Sequence, residues 1–311
     1  MSQLRAQVDK LLTKVSSGYF PKGYVSEAVL PLIQVKQYSG LLGKYGQSHL
    51  RIENSIKGGR GKYRRVETLA RSTTTYLVEG HGLEGFVSKE DYANVEEPFD
   101  AEKDETIGLT TSLWLEKEKV LADSLSDTAI ITSNTTLAGT AQFSDYDNSD
   151  PIAVFSTARE TIMGNVGMMP NIAILDILVW NKLRFHPQML DALGFKYDRP
   201  GGLREDELAS VLGVDKVHLA MARYNSAKEG QADVLSACWG KHIVFAVAPD
   251  SAAPQQISLG YRVQIAGSEP RKVYKWDVNN PPGSKAILVE DEYDFLLSNV
   301  GAAYLIKNSI A

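Results

Sequence analysis

A basic, glycine-tipped hairpin followed at once by an acidic helix constrains this chain more than any other feature. Residues 44–71 carry eight basic side chains against two acidic ones, among them Lys57, Arg60, Lys62, Arg64 and Arg65 around a Gly58-Gly59-Arg60-Gly61 tip. Residues 79–127 carry fourteen acidic side chains against four basic ones, including Glu96, Glu97, Asp100, Glu102, Asp104 and Glu105. The remainder nearly cancels, since the whole chain is −5. A domain that folds for itself has no need to separate charge in this way. Copies that lay a basic arm across an acidic neighbour do. The segregation points to assembly, with these residues as the candidate subunit interface.

At 311 residues, with 43% hydrophobic and 23% charged content, the chain has the make-up of a globular protein with one elaborated core or two cores. Its acidic balance argues against a protein that coats nucleic acid. Charges interrupt the apolar positions of the first twenty residues, so they do not read as a secretory signal. No apolar run approaches the roughly 20 residues that span a bilayer, so no membrane partner is expected. The single cysteine, Cys238, excludes an intrachain disulfide and reads as a buried structural thiol beside Trp239.

Leu4, Val8, Leu11, Leu12 and Val15 recur at helical spacing, and Gly18, Pro21 and Gly23 break the pattern. This arm has little core of its own and is expected to dock on something else. The run from Val29 to Ile33 is read as extended, because Pro31 disfavours helix before it. Residues 44–78 read as a long two-stranded ribbon: Ser48–Ile52 outgoing, the basic tip, and the β-branched Thr73–Val78 returning. Few of its residues are large and apolar, so its faces are expected to await a partner. Asp100 is the expected N-cap of a helix of about 38 Å, over 100–126, with Ile107, Trp114, Leu121 and Leu125 in one stripe and Leu109, Leu113 and Val120 beside it. A polar loop follows to Asp150, which with Pro151 starts a helix bearing Phe155, Ala158, Ile162 and Met163 and ending at Gly164 or Gly167. Next come a buried strand at Ile172–Leu175, a helix capped by Asp176 that carries Val179, Trp180, Leu183 and Leu190, and a short helix from Glu205 to near Gly213. Strands are expected at 216–221, 242–248, 257–265, 271–276, 286–290, 293–298 and 303–306. Helices interleaved with strands, and then mainly strands, make an α+β fold.

No catalytic site rises above background. Gly80-His81-Gly82-Leu83-Glu84-Gly85 has the glycine spacing of a dinucleotide loop, but no convincing helix or βαβ unit follows, so a tight connection is expected there. Lys57–Lys62 lacks the spacing and the closing Ser or Thr of a phosphate-binding loop. Asp145, Asp147, Asn148 and Asp150 resemble a calcium loop in composition only. His49, His81, His186, His218 and His242 show no ligand spacing. No cofactor is expected.

Several phrases, in order, resemble the major capsid proteins of tailed bacteriophages, the Hong Kong 97-type coat fold. They are Glu79–Glu84, Glu97-Pro98-Phe99-Asp100, Asn171–Leu175 with Val179-Trp180, Leu183 and His186-Pro187, Ala222–Gly230, Trp239-Gly240-Lys241 and Tyr304–Asn308. The resemblance implies an N-terminal arm (1–24), an extended hairpin loop (44–78) and a spine helix (100–126). It also implies a peripheral domain built from 25–43, 79–147 and 266–295, and an axial domain built from 148–265 and 296–311. It implies hexamers and pentamers closing an icosahedral shell around double-stranded DNA, contacted without sequence preference. Portal and decoration proteins are implied partners. Too few residues precede the loop for a fused scaffolding segment, so any scaffold is expected to be a separate protein. Some members cross-link a lysine to an asparagine. Lys57 and Lys62 are candidate lysines, but no matching asparagine and glutamate can be named, so no cross-link is expected. The expected location is the virion, with assembly in the host cytoplasm. Two alternatives remain: an encapsulin-type nanocompartment shell around cargo enzymes, and an α+β enzyme of unknown chemistry.

Overall fold

One long strand, Pro282–Leu297, organises half of the chain. It pairs antiparallel with Arg271–Asn279 and, further along, with Gly260–Ile265. Its other edge holds Glu79–Val87. Leu32–Val35 adds in parallel to Gly260–Ile265, and Gln7–Val8 caps the outer edge, giving six strands. The computed structural model describes residues 7–45, 52, 55–56, 61, 63, 71–94, 100–194, 201–252, 256–267, 271–279 and 282–311.

A second sheet has five strands in the order Asn134–Thr136, Ala303–Lys307, Ile243–Ala246, Ile172–Asp176, Lys216–Ala220. Its central strands are buried throughout, as expected for runs such as Ile172–Leu175 with no alternation. Helices Pro151–Val166, Ile177–Leu183, Pro187–Ala192 and Glu205–Leu212 pack around it. Asp150 and Asp176 cap the first two through bonds to the Ala153 and Leu178 N–H groups. Gly167 and Gly213 end the first and the last in the left-handed conformation that glycine adopts without strain.

The spine helix Ala101–Ser126 joins the two sheets. Its 26 residues rise about 39 Å. Leu113 packs with Val87, Val273, Ile287 and Val289 under the six-stranded sheet. Two turns on, Leu121, Ala122 and Leu125 enter the core of the five-stranded sheet. Burying each such leucine is worth about 1.5–3 kcal/mol, so a single helix contributes to both cores.

Several details depart from the sequence reading. The arm helix Lys10–Gly18 docks on its own chain: Leu12 joins the Leu113 core, Ser16 Oγ meets Thr110 Oγ1 at 2.9 Å, and Phe20 packs edge-on against Trp114 at 4.8 Å. Residues Ser26–Val29 are helical, and only Leu30 before the proline is extended. The long helix expected after Asp176 is two, because His186 turns the chain extended ahead of Pro187. The strands expected at 286–290 and 293–298 are one. The charged run Glu290-Asp291-Glu292 lies within it, with Asp291 buried. Val120 and Met163 are 42% and 48% exposed, outside the apolar stripes assigned to them. A hairpin of Arg223–Asn225 with Leu235–Ala237 had no sequence counterpart.

Candidate subunit interface

Of the candidate interface residues, Lys57, Arg60, Lys62, Arg64, Arg65, Glu96 and Glu97 lie outside the described residues, as does the expected outgoing strand Ser48–Ile52 up to Arg51. The root of the ribbon is described. Ser39–Tyr45 pairs with Arg71–Leu77, so the outgoing side begins several residues earlier than expected. Its two faces differ. Tyr76 is buried and Leu42 packs against the cluster of Val35, Val263 and Leu296, so this face is held by the chain itself, contrary to the expectation of two open faces. Leu41 and Leu77, on the opposite face, are 66% and 55% exposed. Asp294 anchors the root by accepting the Leu77 N–H at 3.1 Å.

The four described acidic residues at the start of the spine divide by role. Asp100 caps the helix, accepting the Glu102 and Lys103 N–H groups, and pairs with Lys103 at 3.0 Å. Glu102 is fully engaged inside the chain. It meets Lys275 at 2.8 Å, Lys285 at 2.6 Å and the Tyr92 hydroxyl at 2.8 Å. Burial pushes its carboxyl up, but these donors prevail and pull it down to about 2. Lys275 also holds Asp9, the cap of the arm helix, at 2.9 Å. Glu105 lies over Gly85, where a Cβ would collide with its carboxylate. Asp104 is exposed and is the member of the four directed to solvent.

The residues that join the parts are ones the sequence reading missed. Lys117 is 1% exposed, with Nζ 2.9 Å from Asp291 of the six-stranded sheet and 3.0 Å from Glu27. The same ammonium stands 4.4 Å from the centroid of Tyr293. Glu118, its neighbour, is fully buried and turned to the other side. It accepts the Val25 N–H at 3.0 Å, the Ser26 N–H at 2.8 Å and the Trp239 Nε1–H at 2.6 Å. The short helix Ser26–Val29 has no side-chain cap of its own, so Glu118 supplies the missing anion. Lys117 and Glu118 thus tie residues 25–27, the six-stranded sheet and Trp239 of the other core to the middle of the spine. A second joint is the pair of Arg223 Nη1 and Nη2 with Asp176 at 2.7 and 3.0 Å, which roots the 223–237 hairpin.

The motifs considered for chemistry have structural roles. Gly80, Gly82 and Gly85 lie within strand Glu79–Val87, not in a tight connection. The helix Lys89–Asn94 that follows is opened by reciprocal Ser88 and Asp91 bonds, away from the glycines. Asp145 accepts from the N–H groups of Asp147 and Asn148, while Asp150 caps a helix. Among the described residues no group of three acidic, histidine or cysteine side chains could hold a metal ion, and no helix is long and apolar enough to cross a membrane. His81 stacks on Tyr293 at 4.4 Å, and His186 meets Ser149 Oγ at 3.0 Å out of solvent. Burial pushes the Cys238 thiol up to about 11, far from a reactive thiolate.

An arm, a paired ribbon, a spine helix and two sheets in this order make the α+β capsid fold of phages, the Hong Kong 97 type. The structural neighbours include the capsid of cyanophage P-SCSP1u, with a TM-score of 0.58 and 12% identity over 93% of this chain and 89% of that one. A phage-related protein from Bordetella bronchiseptica superimposes with a TM-score of 0.73 and 23% identity over 98% of both chains. The chain is also homologous in sequence to phage major capsid proteins. That of Burkholderia phage BcepMu is 25% identical over 276 residues, 86% of each protein. That of Pseudomonas phage JBD67 is 26% identical over 79% of this chain and 78% of the other. No family model matches.

Proposed function

We propose that this chain is a major capsid protein that assembles with itself into the shell of a tailed phage. The observation that carries the reading is the sequence match to two phage major capsid proteins along most of the chain. It favours a phage shell over an encapsulin-type compartment or an enzyme. In this reading the protein's role is structural. Copies associate as hexamers and pentamers, enclose double-stranded DNA without reading it, and meet portal, decoration and separate scaffolding proteins. Assembly takes place in the host cytoplasm.

The six-stranded sheet, with the arm and spine, serves as the peripheral domain, and the five-stranded sheet with its helices as the axial domain. Gly260–Ile265 goes with the peripheral side, since it pairs there. The basic ribbon reaches over the acidic spine region of an adjacent copy. Of the four described candidates at the start of the spine, Asp104 is the exposed one suited to receive it, whereas Glu102 already has two lysines. The exposed Leu41 and Leu77 face would be covered in the same contact. Reversing charge at Arg64 and Arg65 tests this. Wild-type chain should sediment as large particles and the double variant as subunits or capsomers. Normal particles from the variant would remove the ribbon from the interface.

A further inference from the structure

A cleft of about 300 Å³ opens between the two sheets. Leu30 and Pro31 form one wall, Lys216, His218 and Asp250 come from the five-stranded side, and Arg262 from the six-stranded side. Arg262 is only 11% exposed. Its Nη1 pairs with Glu27 Oε1 at 2.9 Å, and its Nε has no hydrogen-bond partner among the described residues. Buried guanidinium N–H groups are costly to leave without an acceptor.

The surrounding charges supply none for Nε. Three buried or half-buried cations, Lys117, Arg262 and Arg271, face two carboxylates, Glu27 and Asp291. Glu118 is turned the other way and accepts two backbone N–H groups and an indole. Asp250 is at the rim, 82% exposed and paired with Lys216 at 2.6 Å. One positive charge is therefore in excess at the inner end of a water-accessible cleft. A second lysine stands at its mouth.

We propose that this cleft is an oxyanion site, in which Arg262 and Lys216 hold a phosphate or carboxylate group between the two sheets. The anion donates no covalent chemistry. It satisfies the guanidinium and bridges a residue of each sheet, and so fixes the angle between them. The inference does not rest on the capsid reading, because it depends on the fold of one chain.

Thermal unfolding of the full chain in inorganic phosphate, against sodium chloride of matched ionic strength, tests it. Phosphate at many times its dissociation constant should raise the midpoint by several degrees, roughly 2–10 °C. Arg262→Gln should abolish the rise. Lys216→Met, at a half-exposed side chain, should reduce it, and decides the matter if the arginine variant does not fold. No rise beyond the chloride control, or an undiminished rise in both variants, would overturn the proposal. Repeating the titration on assembled particles separates the sources. A retained response means a free ion fills the site, and a response confined to unassembled subunits means a carboxylate of another copy does.

Discussion

Replacing Lys117 with methionine removes a buried charge from a place where the spine grips the six-stranded sheet. The side chain is 1% exposed, and its two partners, Asp291 and Glu27, have side chains 4% and 26% exposed. Methionine has similar volume, so the loss is electrostatic rather than a cavity. Glu27 keeps Arg262 and Asp291 keeps the nearby charge of Arg271, but Asp291 loses its hydrogen bond from Nζ, and its Oδ1 already lacks a hydrogen-bond partner among the described residues. Breaking a buried pair from one side costs about 3–5 kcal/mol, whereas replacing both partners with apolar groups is often neutral. Lys117→Met should therefore lower the thermal midpoint by roughly 6–20 °C, at 2–4 °C per kcal/mol in a chain of this size. Adding Asp291→Leu should restore more than half of the loss. Circular dichroism of the unassembled chain reads both. A cost under about 1 kcal/mol for the single variant, or no recovery in the double, would show that the pair is not buried as described.

Acid should act on the two halves differently. Glu102 is pulled down to about 2, and Glu27 and Asp9 are also held low, against burial, by Lys117 with Arg262 and by Lys275. Carboxylates depressed in the fold stabilise it above about pH 4.5 and lose that stabilisation as pH falls toward 2. Glu102→Gln should flatten this limb of an acid titration, and an unchanged limb contradicts the assignment. Burial instead lowers His186, His218 and His242, which belong to the five-stranded half. For such bases the unfolded chain takes up protons first, so stability is full above about pH 6.5 and declines below it. Amide protection factors in Ile172–Asp176 and Ile243–Ala246 should fall between about pH 6.5 and 5, before those of the spine, and loosening of both only below pH 4 would be the opposite result. At Gly260 a Cβ would stand 2.5 Å from the Leu296 carbonyl oxygen. Gly260→Val should cost about 1–3 kcal/mol by forcing the strands apart, and an unaltered midpoint would mean the register is wrong.

Local chemistry made much of the fold legible. Asp100, Asp150 and Asp176 announce helix starts because a short carboxylate reaches N–H groups two or three residues on, and Pro151 reinforces one of them. Distant partners hid the rest. Ser26–Val29 is capped by Glu118, 92 residues away from Ser26, so no nearby residue betrays it. Asp291 looks like a strand terminator until Lys117 is placed against it. The glycines at 80, 82 and 85 look like a turn, yet Gly85 leaves room for Glu105 within a strand. Nothing in residue type marks Lys117 and Glu118 as buried. Their positions carried the missed signal, since they continue the stripe of Trp114, Leu121 and Leu125 at helical spacing. Of the candidate interface, the charge pattern was visible, but its division into residues satisfied within the chain and residues left outward required Lys275 and Lys285 to be placed beside Glu102.

Electron microscopy of the purified full-length chain, alone and with a candidate scaffolding protein, tests the central claim most directly. Closed icosahedral shells built from five- and six-membered rings are the expected result. A protein that stays a monomer under every condition would contradict the assembly reading and leave the segregated charges of the ribbon and spine without a role.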